Sequence, residues 1–194
     1  MTTRAADFAG AATVAPWLRS AGIVLGASLL LALCAHIALP LWFTPVPLSL
    51  QPFGVLLLGL LLSPRMAGIS VAAYLAEGAL GLPVFAPAAG MPNGVAHLLG
   101  PTGGYLMAYP AAALLIAFLR RRLPGRFVSR LAAAAAGDLL ILVCGALWLT
   151  VATHGSFAAA LPLAVVPFLP GDALKVAAAA GTVTGLRRMR RKNP

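Results

Sequence analysis

Two ionisable residues three positions apart, Asp172 and Lys175, stand in the stretch Phe168 to Lys175 (FLPGDALK) with apolar chain on both sides. On a helix that spacing puts both side chains on one face, where they can pair with each other or jointly grip a polar ligand. Lys175 is the one basic residue outside the blocks that separate the apolar runs. A lysine within a membrane span costs at least about 2.5–3.5 kcal/mol on insertion scales, so something must offset it. A self-satisfied ion pair would do so, as would snorkelling to the outer headgroups. The ligand reading is preferred, because ionisable groups inside a membrane are functional by default. Pro170 and Gly171 precede Asp172 and place it in the first turn of a last helix, where an N-cap role is compatible with ligand binding.

The remaining candidates are fewer. Glu77 belongs to the outer part of a third apolar run and is read equally as pocket lining or as a structural hydrogen-bonding group. Asp138, nearer an arginine cluster, is read as structural. His36, His97 and His154 share no ligand spacing and are read as interface residues, with no metal site. The glycine-rich GPTGGY, Gly100 to Tyr105, is not followed by GK[ST], so it is not a phosphate loop. No G-x-S-x-G motif is present. Cys34 and Cys144 lie far apart inside apolar runs, as small core residues do.

What must position these residues is a membrane bundle. The chain has 194 residues, 61% of them hydrophobic and only 9% charged, too little polar surface for a soluble globule and too apolar for disorder. The +10 net charge sits in blocks between apolar runs, without the interleaved aromatics that nucleic-acid binding would need. The expected architecture is a single all-α integral membrane domain of six transmembrane helices. The segments are Ala21 to Leu39, Gln51 to Leu62, Ala67 to Leu80, Tyr105 to Leu119, Leu131 to Thr153, and a last one reaching Leu186 after Pro170 and Gly171. The second and third are shorter than the ~20 residues of a straight span.

The bundle, 21–186, is flanked by tails at 1–20 and 187–194. The broken apolar stretch before Arg19, with Arg4 and Asp7, is a poor signal peptide, so the first helix is expected to be retained. The connections Pro40 to Leu50, Gly81 to Gly104 and His154 to Pro170 contain no Lys or Arg, and by the positive-inside rule they face outward, leaving both termini cytoplasmic. Gly81 to Gly104 is too rich in Pro and Gly for helix and too apolar for water, so it should fold back over the bundle and roof an outward-facing pocket. In the first helix Gly22 and Gly26, and Ser28 and Ala32, stand at the four-residue spacing that lets a partner helix approach closely.

The blocks PVPLSLQ (Pro45 to Gln51), YLAEGALGLPVF (Tyr74 to Phe85), LLGPTGGYL (Leu98 to Leu106) and FLPGDALK resemble, in order, those of the BioY family. These are the biotin-specific substrate-binding S components of energy-coupling factor (ECF) transporters. The resemblance covers about residues 20 to 186. It implies a six-helix protein of the cytoplasmic membrane that captures biotin in an outward pocket roofed by the loops after helices one and three. It further implies that Asp172 and Lys175 contact the ureido ring, which offers N–H donors and a carbonyl acceptor. Gln51 and Tyr105 match pocket-side positions, Asn93 falls in a loop where similar proteins place an asparagine among glycines, and Gly103 and Gly104 are backbone-approach positions. The chain would be no enzyme and carry no cofactor. Transport would be powered by a coupling subunit and paired ATPases, with the small-residue face of helix one as the docking surface.

Two other classes compete with that reading. An ion-coupled secondary carrier for a small vitamin-like solute would use Glu77, Asp138 and Asp172 as a proton relay, though no inverted repeat is evident in the sequence. An intramembrane enzyme would need a nucleophile and base, for which His154 and Ser156 are the best pair.

Overall fold

The computed structural model describes residues 15–87 and 92–192. The N-terminal tail up to residue 14, with Arg4 and Asp7, lies outside the described residues, as do 88–91 of the loop after the third apolar run and the last two residues of the basic tail.

The chain is almost wholly helical. Helix α1 is Pro16–His36, longer at its start than the expected segment, so 16–20 are helix and not tail. A two-residue hairpin follows, β1 Ala38–Leu39 paired antiparallel with β2 Leu48–Ser49. Helix α2 is Gln51–Leu61 and α3 is Pro64–Ala79. The turn between them is set by Ser63, whose hydroxyl accepts the Met66 N–H at the α3 N-terminus, and by Pro64, which needs no hydrogen bond in the first turn. Helix α4, Val95–Leu99, interrupts the loop expected to be irregular throughout. Then come α5 Gly103–Arg122, α6 Phe127–Ala152, a short α7 Phe157–Ala164 and α8 Leu169–Lys192.

Among the described residues three helices, α1, α5 and α6, are long and apolar enough to cross a membrane, and α7 with α8, bent by 58° at their junction, make a fourth as a broken span. Helix α2 has 11 residues and α3 has 16, both under the length of a straight span. Pro170 lies inside the first turn of α8, where its missing N–H breaks no helical bond, so the helix begins at Leu169 and not after Pro170 and Gly171 as the sequence predicts. Asp172 is accordingly inside α8 and not its cap, its N–H bonded to the Phe168 carbonyl at 2.8 Å.

Helix α5 is the centre of the bundle, packed against α6, α3 and α2, while α8 closes on α2 and α6, and α1 lies on α3 and α2. Close packing of α5 on α6 depends on Gly104, where a Cβ would collide with Trp148 and the Cys144 carbonyl. The outer faces are apolar. Leu25, Leu29 and Leu33 of α1, and Leu139, Val143, Leu147 and Val151 of α6, are exposed at four-residue spacing, a stripe suited to lipid and not to water.

At the arginine-bearing end, Arg120 donates to the Leu62 carbonyl at 3.0 Å, placing a cation at the C-terminus of α2. Arg130 bridges α6 to α8 through Thr184 Oγ1 and also donates to the Gly125 carbonyl, both at 2.7 Å.

Candidate ligand pocket

A cavity lies in the half of the bundle away from the arginine clusters. Its walls come from α2 (Gln51, Pro52), α5 (Tyr105, Leu106, Tyr109), α6 (Asp138, Ile141, Leu142) and α8 (Asp172, Lys175), with Phe168 just before α8. Its roof comes from the two loops named for it above. Val46, Pro47 and Ser49 close it from the hairpin, and Ala86 and His97 from the connection between α3 and α5.

Each roof piece is tied down by specific bonds. Gln51 Nε2 donates to the Tyr74 hydroxyl at 2.6 Å, and that hydroxyl donates to the Val84 carbonyl at 2.7 Å. The loop after α3 is thereby pinned to α3 and α2. Phe85 stacks edge-on to Tyr74, fits over Gly78 where any Cβ would collide with its ring, and lies 5.2 Å from the His97 ring. Ser49 Oγ donates to Gln51 Oε1 at 3.3 Å, so the amide is held from both ends. On the other side, Thr44 of the hairpin loop donates to the Leu163 carbonyl at 2.9 Å, and Tyr105 donates to the Ala164 carbonyl at 2.6 Å. These are carbonyls at the C-terminus of α7, left without helical partners by the break before α8.

The charged part of the wall is buried. Lys175 Nζ donates to Asp172 Oδ1 at 2.8 Å, and the two residues are 8% and 4% exposed. The pair leaves the second Asp172 oxygen and two of the three lysine N–H groups for other partners. Apolar walls with a few convergent polar groups are what a small-molecule site needs.

Not every expected residue is here. Gln51, Tyr105, Asp172 and Lys175 line the cavity. Glu77 does not: it accepts a hydrogen bond from Ser28 and ties α3 to α1. Asn93 is exposed, and Gly103 and Gly104 are buried beside the cavity, against Leu98 and Trp148. Their closeness serves helix packing, and Trp148 Nε1 caps the approach by donating to the Gly100 carbonyl at 2.8 Å. The small-residue face of α1 also divides. Gly22 and Gly26 are exposed with nothing within 4 Å of a Cβ position, whereas Ser28 is buried against Glu77 and Ala32 packs on the core.

Two lining residues were read otherwise in the sequence. His97, expected at the interface, is buried in the roof. Asp138, expected to be structural, lines the cavity, and its signal is the same as that of Lys175: an ionisable group inside an apolar run. Of the three acids of the proton-relay alternative, Asp138 and Asp172 line the cavity and Glu77 does not.

Fold and site together define a membrane-embedded helical bundle holding a roofed small-molecule pocket. The sequence profile of the BioY family matches residues 3–192, and the chain belongs to that family. It is 42% identical over 135 residues to the probable biotin transporter BioY of Pyrococcus horikoshii, covering 70% of this chain and 76% of that one. It is 35% identical over 164 residues to the biotin transporter BioY of Lactococcus lactis, covering 79% and 80%. The fold is similar to the crystal structure of the S-component for biotin from an ECF-type ABC transporter, with TM-score 0.80 and 29% identity over 89% of this chain and 92% of that one.

Proposed function

We propose that this chain captures biotin and serves as the substrate-specificity subunit of an ECF-type transporter in the cytoplasmic membrane. The observation that carries the reading is the buried Asp172–Lys175 pair facing a roofed, mostly apolar cavity. A cyclic urea is neutral, rigid and rich in hydrogen bonds, so this ring meets the free donors of Lys175 and the free oxygen of Asp172 without adding a charge beside the pair. The thioether ring and methylene chain of biotin suit Ile141, Leu142, Leu106 and Phe168.

In this reading the chain crosses the membrane six times with both termini in the cytoplasm, α2 and α3 being short spans and α7 with α8 a broken one. The loops that roof the cavity lack Lys and Arg, while the turns at the other end carry the arginines. A coupling subunit and paired ATPases supply the energy, and Gly22 and Gly26, the open part of the α1 face, meet the coupling subunit.

Uptake of labelled biotin by cells expressing this chain with and without an ECF coupling module tests the assignment. ATP-dependent uptake requiring the module is expected. Uptake driven by a pH gradient with no module would instead make the chain an ion-coupled carrier.

A further inference from the structure

Asp138 is 6% exposed and lines the cavity, and its Oδ1 is buried with no hydrogen-bond partner among the described residues. A buried acceptor without a donor costs its full desolvation, so such an atom is retained where something else supplies the donor. Its place in the fold shows what that is. Helices α5 and α8 run toward the arginine-bearing end and α6 runs away from it. On each of them the lining residue nearest that end is, respectively, Tyr109, Lys175 and Asp138. These three form the floor of the cavity, and the charged neighbours of Asp138 are Asp172 and Lys175.

We propose that Asp138 is a specificity-determining ligand contact: Asp172 and Asp138 present acceptors around the Lys175 donor, complementary to the N–H, C=O, N–H edge of a cyclic urea. The inference rests on the reading of the pocket as a biotin site and adds a residue to it. The two N–H groups of a cyclic urea diverge from its carbonyl, so one carboxylate oxygen cannot serve both. With Asp172 Oδ1 already held by Lys175 at 2.8 Å, a second acceptor is required. The orphaned oxygen of Asp138 supplies it from a different helix, so that closing α6 and α8 around the ring reads both of its N–H groups.

The test uses the purified full chain, titrated calorimetrically with biotin and with two analogues, each methylated on one ureido nitrogen. Asp138→Leu, which removes the acceptor, is expected to weaken biotin about 10- to 100-fold, while Asp138→Asn, which keeps a carbonyl oxygen, retains most of the affinity. One of the methyl analogues should lose affinity on the unmodified chain but bind Asp138→Leu no worse than biotin does. A folded Asp138→Leu that binds biotin within twofold of the unmodified chain would overturn the proposal, and so would an equal methyl penalty in both proteins. Should Asp138→Leu fail to fold, the unmodified chain still decides: weakened binding is expected with a methyl on either nitrogen, and loss at one nitrogen alone contradicts a second acceptor. Failure of the unmodified chain to bind biotin at all would strike the function reading itself.

Discussion

Tyr105 of α5 and Ala164 at the end of α7 are joined by a 2.6 Å hydrogen bond, in which the hydroxyl donates to a carbonyl at the break between α7 and α8. The same tyrosine lines the cavity and meets Phe168 edge-on. The bend that gives α8 its start close to the cavity is thus held from across the pocket. Tyr105→Phe keeps the ring and leaves the carbonyl unsatisfied, so thermal unfolding should report a loss of about 1–3 kcal/mol, with weaker biotin binding. Unchanged stability would mean that the break does not depend on this bond.

If Asp172 and Lys175 serve only each other, Asp172→Asn with Lys175→Met removes both charges together and leaves a stable, binding-competent protein. If they hold the ligand, the double variant stays folded but loses affinity by roughly two to four decades, each lost charge-assisted bond contributing on the order of 1.5–3 kcal/mol. Affinity measured beside thermal stability separates the two outcomes, and near-normal affinity would make the pair structural.

The glycines give a contrast within one motif type. Gly26→Leu has open space around it and should leave folding and biotin binding intact while impairing uptake through the coupling module. Gly104→Ala should cost about 1–3 kcal/mol or more in stability, because Trp148 and the α6 backbone must move to admit the methyl group. Loss of folding with Gly26→Leu would remove the docking role.

Much of this was legible in the sequence, and the limits are physical. Helices α1, α5 and α6 follow from long apolar runs, and the roof follows from Pro and Gly in chain too apolar for water. The pair at 172 and 175 was legible because both partners sit within one helical turn. Asp138 carries the same signal of an ionisable group in an apolar run, but its place at the cavity is not legible, since its neighbours belong to α8, more than thirty positions away, and helix periodicity does not say which face of α6 meets which helix. Spacing along α3 likewise leaves the two readings of Glu77 equal, and the structural one is met by its partner Ser28 on α1. Small residues on α1 read alike by spacing, yet Ser28 and Ala32 face inward and Gly22 and Gly26 outward, a difference that only packing decides.

His97 supplies a pH dependence. Burial in the roof lowers its pKa from the ordinary 6.5, and the nearby Pro92 backbone opposes this more weakly. A histidine held neutral in the folded protein stabilises it fully above the unfolded value near 6.5, and that contribution is lost as pH falls through the lower folded value. Unfolding stability should therefore fall below pH ~6.5 in the unmodified chain, and fall less in His97→Gln. Parallel pH profiles for the two proteins would contradict this.

Equilibrium titration of biotin into the detergent-purified chain, with no other subunit present, bears most directly on the central claim. The account predicts saturable one-site binding, and a thermal unfolding midpoint that rises with biotin concentration as mass action requires. A folded chain showing neither heat of binding nor a shift in the midpoint would contradict it.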